Sequence, residues 1–153
     1  MKETKKVKNN KGFTLIEILV VIGIIAILAG IVLVAINPSR QFAQANNTQR
    51  TSNVTTILNA IGQYIADNKG TVPAGIDSTV KTLKKADLDI CALLMPTYVS
   101  SLPVDPKNGA AVTDCSTYDT GYTIQQDATT KRITVNAPST EKPPAAADIS
   151  VTR

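Results

Sequence analysis

Histidine is absent from the 153 residues, which removes the commonest general base and the commonest transition-metal ligand and weighs against an enzyme. Serine, lysine and aspartate occur throughout, but no recognisable nucleophile motif accompanies them, so no catalytic residue is assigned. Bulk charge is also missing once it is located. The formal charge of +4 and the pI near 9.1 suggest an affinity for nucleic acid. Yet Lys2, Lys5, Lys6, Lys8 and Lys11, set against Glu3, account for all of it, leaving 11 of the 16 basic and 11 of the 12 acidic side chains to cancel. No specific nucleic-acid partner follows from that distribution.

What is present is an apolar run, Phe13 to Ile36, interrupted by the single charge of Glu17. About 24 residues rising about 1.5 Å each make a helix of about 36 Å, longer than the roughly 30 Å hydrocarbon core of a bilayer. The lysines before it hold the N-terminus in the cytoplasm and direct everything after Ile36 outward. An ordinary secretory signal peptide is the competing reading. Two features oppose it: the run is about twice the usual apolar length, and no A-x-A triplet ends it. Glu17 is then the anomaly, because a carboxylate in an apolar span is costly unless it reaches the interface or meets a positive partner. Cys91 and Cys115 both lie on the outward side, and an even count there reads as one disulfide.

Lys11-Gly12-Phe13-Thr14-Leu15-Ile16-Glu17 followed by this helix resembles the class III signal of type IV pilins and of the pseudopilins of type II secretion systems. The resemblance implies a cut by a prepilin peptidase between Gly12 and Phe13, methylation of Phe13 as the new amino terminus, and an assembly role for Glu17. Glu17 would pair with the amino terminus of a neighbouring subunit. On one chain its spacing also permits an intramolecular contact, and the sequence does not choose between them. The implied partners are further copies of the chain or related subunits, the peptidase, an inner-membrane assembly platform and the membrane. Before assembly the chain would be a single-pass protein of the cytoplasmic membrane with its head outside; afterwards it would be part of an extracellular or periplasmic filament. A bitopic anchor with a small binding domain is the alternative from another class.

Along the chain, Met1 to Gly12 reads as a basic leader to be cut away, and 13–36 as the membrane and filament-core helix. Gly23, Ala26, Ala29 and Gly30 place small residues in that span, where they allow close helix packing. Asn37-Pro38 should kink or restart the helix. Val54, Ile57, Leu58, Ile61 and Ile65 then form one stripe over 37–69, and Asn68-Lys69-Gly70 stops it. One long helix from Phe13 to about Asn68 is expected, membrane-spanning in its first half and amphipathic in its second, packed on a small α+β head over 70–137. In that head, 79–95 suggests one or two short helices, with Lys81, Lys84 and Lys85 on a solvated face. Tyr98 to Pro106, which is also similar to pseudopilin heads, reads as a stiff crossing. Gly121 to Gln126 and Arg132 to Asn136 alternate as a short antiparallel hairpin. Residues 138–153, rich in proline and alanine, read as a flexible tail. Some pseudopilin heads bind calcium near the position of Asp105, Asp114 and Asp119, but these lack EF-hand spacing and read more simply as solvated turn aspartates. No metal and no cofactor is expected.

Overall fold

The computed structural model describes residues 12–35, 37–109, 111–141 and 148–153. The leader up to Lys11, the end of the apolar run at Ile36, and Pro143-Pro144 with the alanines after them lie outside the described residues. The chain divides into two compact units, Met1–Pro38 and Ser39–Arg153.

The first unit holds helix α1, Leu15–Ala35. Its 21 residues give a length of about 32 Å, and Leu15–Leu33 is long and apolar enough to cross a membrane. A second helix, α2, runs Pro38–Asp67, and Asn37 is not helical. The single long helix expected from Phe13 to Asn68 is therefore two helical segments. The cause is Pro38, which has no N–H to give to a preceding turn and crowds it. As the first residue of a new helix it loses nothing, because that N–H would be unpaired anyway and its φ is already helical.

In the second unit α2 buries the predicted stripe of Val54, Ile57, Leu58 and Ile61, with Ile65 half-buried. The helix stops as its sequence requires: Gly70 takes φ +88° and donates its N–H to the Ile65 carbonyl at 2.8 Å, a left-handed ending open to glycine at little cost. The stripe shares one core with the inner face of a four-stranded antiparallel sheet, ordered β1 (Lys81–Lys84), β2 (Asp119–Gln126), β3 (Ile133–Ala137) and β4 (Ile149–Thr152). Strands β2 and β3 are the expected hairpin, with Ile124 opposite Val135. Tyr122, Ile124, Ile133, Val135 and Ala137 face inward, alternating with more exposed residues.

Two strands depart from expectation. Lys81–Lys84 is β1 rather than helix, and only Cys91–Leu94, helix α3, is helical in that stretch. Pairing with β2 buries Leu83 completely, and this tertiary gain outweighs a local preference in so short a segment. Lys81 and Lys85 accordingly flank a strand, paired with Asp77 and Asp89 at 2.6 Å each. The expected tail contains β4, whose Ile149 and Val151 alternate with Ser150 and Thr152 on the otherwise open side of β3.

Three ties hold this small unit together. Cys91 and Cys115 form a disulfide that joins α3 to the segment before β2. Asn53 donates to the Val104 carbonyl and to the Tyr122 hydroxyl at 2.9 Å each. The third tie is Arg50, fully buried on α2, which grips the equally buried Asp105 with two bonds, Nε to Oδ2 at 2.6 Å and Nη2 to Oδ1 at 3.0 Å. Its Nη1 donates to Asn47 Oδ1 and Glu141 Oε1. Asn47 also pairs with the Glu141 peptide, accepting from its N–H at 3.0 Å and donating to its carbonyl at 2.6 Å. No buried side-chain nitrogen or oxygen among the described residues lacks a partner, as a buried charge requires. Gly121 sits against this network at φ +74°, where an added Cβ would meet Asn108 Nδ2 at 2.6 Å and Asp105 Cβ at 3.2 Å.

Burial pushes the Asp105 carboxyl up, but its bonds from Arg50 and from the Lys107 N–H hold it below its ordinary value. Glu141 is lowered too, chiefly by the bond from Asn46. Carboxyls depressed in the folded state stabilise it above their unfolded values near pH 4, and that contribution fades as pH falls through the lower folded values. Arg50→Met leaves Asp105 buried without a counter-charge and should cost about 3–5 kcal/mol at pH 7 in urea unfolding. The deficit should narrow as pH falls, because without Arg50 burial raises the Asp105 carboxyl and the variant takes up that proton at a higher pH than the unmutated protein does. Gly121→Ala should cost about 1–3 kcal/mol by the same measurement. Cys91→Ala with Cys115→Ala should cost about 3 kcal/mol, matched by reduction of the unmutated protein.

Candidate functional site

The resemblance drawn from the sequence centres on the start of α1, and the local geometry there follows from four residues. Gly12, Phe13 and Thr14 precede the first helical residue, Leu15, and all are exposed, Phe13 to 84%. Thr14 is thus the residue that caps the helix, and Glu17 stands three positions later. Their side chains close a reciprocal pair. The Glu17 N–H donates to Thr14 Oγ1 at 3.2 Å, while Glu17 Oε2 accepts from the Thr14 N–H at 3.0 Å and from the Thr14 hydroxyl at 2.8 Å. This is a capping box, in which Thr-x-x-Glu satisfies two backbone donors that a helix start leaves unpaired. In a medium without water those donors have no other partner.

The arrangement answers part of the question that Glu17 poses. Its carboxylate is engaged on its own chain, but through Oε2 alone; Oε1 has no partner among the described residues. The remaining charge faces outward at the very start of a helix whose surface is otherwise apolar all round, from Leu15 at 81% exposed to Leu33 at 69%. A cation can approach Oε1 without disturbing the cap. Gly23 and Gly30 lie on the same helix with nothing within 4 Å of an added Cβ, so their surroundings in the single chain are open.

The other sequence candidates are engaged within the head. Asp105 is committed to Arg50. Asp114 accepts from the Ser116 N–H and hydroxyl, and Asp119 from the Gly121 N–H. Among the described residues no three acidic or cysteine side chains are grouped to hold a metal ion, so the aspartate trio considered for calcium does not converge. Cys91 and Cys115 serve as a covalent tie within the head. Thr14 emerges as the capping residue only in the structure, although its signal, Thr-x-x-Glu ahead of an apolar run, is local and readable.

Comparison with known proteins bears on the same stretch of the chain. Residues 7–33 match the family described as the prokaryotic N-terminal methylation motif. No curated protein and no solved structure matches the chain. The methylation motif spans the Gly12–Phe13 junction, the capping box and nearly all of α1, so the chain carries the class III signal of type IV pilins and pseudopilins.

Proposed function

We propose that the chain is a structural subunit of a type IV pilus or pilus-like filament, made as a precursor, cut by a prepilin peptidase between Gly12 and Phe13, and polymerised through α1. The observation that carries this is the methylation motif running into an apolar helix whose one carboxylate is Glu17. The cut creates an ammonium on Phe13, and methylation leaves its charge in place. Within an apolar bundle that ammonium and the Glu17 carboxylate attract strongly, and each is costly alone. Glu17 Oε1 is the oxygen left to receive the ammonium of a neighbouring copy.

A second observation supports burial against other subunits. Between Arg40 and Asp67 the one charged residue is Arg50, which is buried. The exposed surface of α2 over that stretch therefore bears no charge, and charge depletion marks surfaces covered by protein. Thr48, Thr51, Thr55 and Thr56 each donate their hydroxyl to a carbonyl four residues back, so covering them leaves no hydroxyl donor unpaired.

The motif is shared with the pseudopilins of type II secretion systems, for which the processing chemistry is the same and the machinery differs. The chain acts as a building block in either setting and has no catalytic role. Before assembly it sits in the cytoplasmic membrane as a single span, amino terminus inside and head outside.

Mass spectrometry of the mature protein should find a methylated Phe13; an intact Met1 would instead identify a membrane anchor. Two variants separate the roles of Glu17. Glu17→Gln keeps an oxygen for the Thr14 cap and removes the charge, whereas Glu17→Ala removes both. Both should be processed and neither should form filaments in electron micrographs. Normal filaments from Glu17→Gln would sink the charge-pairing account and leave Glu17 as a helix cap.

A further inference from the structure

Asn108-Gly109 is the one place in the chain where glycine follows asparagine. The peptide nitrogen after an asparagine can attack that residue's side-chain amide, and glycine, with no Cβ, leaves the approach open. Elsewhere in the head this attack is hindered. Asn46, Asn47, Asn53 and Asn59 lie inside α2 and Asn136 inside β3, where the hydrogen-bond pattern of the element fixes the backbone on both sides. Asn68 is tied by its side chain to the Tyr64 carbonyl at 2.8 Å.

Asn108 is held on one side only. Its own N–H donates to the Asp105 carbonyl at 2.8 Å, closing the turn Asp105-Pro106-Lys107-Asn108. Beyond that bond, Asn108 and Gly109 are both exposed, and among the described residues neither the Asn108 carboxamide nor the Gly109 N–H has a hydrogen-bond partner. Gly109 takes φ +109°, with nothing within 4 Å of an added Cβ. Carboxamide and peptide nitrogen are thus adjacent, wet and free to turn toward each other.

We propose that Asn108 is a site of spontaneous modification, where deamidation through Gly109 creates a carboxylate that loosens the Arg50 network. The Gly109 peptide nitrogen gives up its proton and bonds to Asn108 Cγ; the Cγ–Nδ2 bond breaks, and ammonia leaves with that proton, closing a succinimide ring. One water then opens the ring. Opening at Cγ leaves aspartate; opening at the main-chain carbonyl leaves isoaspartate, whose backbone runs through the side chain and is one methylene longer. Nothing is oxidised or reduced, and water is the only co-reactant.

The surroundings of Asn108 give the change its effect. An added Cβ on Gly121 would meet both Asn108 Nδ2, at 2.6 Å, and Asp105 Cβ, at 3.2 Å, so the carboxamide and Asp105 crowd the same spot. Asp119 accepts from the Gly121 N–H beside them. A carboxylate in place of the carboxamide is a further anion next to these two, and like charges at close range repel. The adjacent cation, Lys107, is already paired with Glu141 at 3.2 Å. In the isoaspartate form the extra methylene also lengthens the chain at the turn that aims Asp105 at Arg50, where the N–H groups of Lys107 and Asn108 both donate to Asp105. The conversion runs one way, so a chain passes with age from a tightly tied head to a looser one.

The test is to hold the full chain in phosphocholine micelles in warm, mildly alkaline buffer and to follow its peptides by mass spectrometry. Asn108 should gain about 1 Da and appear in aspartyl and isoaspartyl forms. Asn108→Gln, whose longer side chain closes the ring poorly, should lose that gain. The converted fraction, separated by ion exchange, and the directly made Asn108→Asp should both unfold at a lower urea concentration than the fresh protein, with the isoaspartyl form lowest. The proposal is overturned if Asn108 keeps its mass in the folded chain for as long as the urea-unfolded chain takes to convert. It is equally overturned if the converted fraction and Asn108→Asp both unfold at the midpoint of the fresh protein.

Discussion

The structure depends first on how a helix can begin in an apolar medium. Four backbone N–H groups at its start have no partner within the helix, and in hydrocarbon each must find one or cost several kcal/mol. Thr14 and Glu17 satisfy this by pairing with each other's backbone and side chain. The requirement places a carboxylate at the third helical position, in the same span where a lone charge is otherwise hard to keep. Oε2 completes the cap, while Oε1, without a partner among the described residues, is the oxygen we propose receives a cation from a neighbouring copy. The methylation motif over residues 7–33 covers this arrangement, and the cut we propose between Gly12 and Phe13 would generate such a cation beside it.

The head solves a different problem, that of a thin core. Its apolar cluster is drawn from one face of α2, the inner face of four short strands and the segments around α3. A core of this size benefits from added ties. The disulfide fixes α3 to the approach to β2, while Arg50 fixes α2 to Asp105 and Glu141 at once. Because Glu141 leads toward the last strand, the same guanidinium that neutralises Asp105 also anchors the C-terminal part of the chain. Arg153, at the end of β4, completes that anchoring by donating to Asn59 on α2.

Sequence patterns carried the local features and missed those that depend on distant pairing. The apolar span, the Val54 to Ile61 stripe, the left-handed stop at Gly70 and the β2–β3 hairpin are each written in a short window of residues, and each stands in the structure. Strand β1 owes its form to pairing with β2, some 35 residues away in sequence. Strand β4 carries its own alternation in Ile149-Ser150-Val151-Thr152, but the proline and alanine composition before it points to a tail. The Arg50–Asp105 pair spans 55 positions; its sequence trace is a lone charge on the buried side of α2, four residues before Val54. At the start of α1 the methylation motif was legible but the capping role of Thr14 was not, because Glu17 draws attention as a charge before it is considered as a hydrogen-bond acceptor.

The central claim is that the Glu17 carboxylate caps its own helix and receives the amino terminus of a different copy. Solid-state NMR on filaments assembled from an equal mixture of subunits, one set labelled with ¹⁵N at the Phe13 amine and the other with ¹³C at the Glu17 carboxylate, tests it most directly. The account predicts a through-space correlation between the two labels in the mixed filament, where any such contact must cross between subunits. A correlation seen only when both labels are on one chain would contradict it, and would confine Glu17 to its own helix.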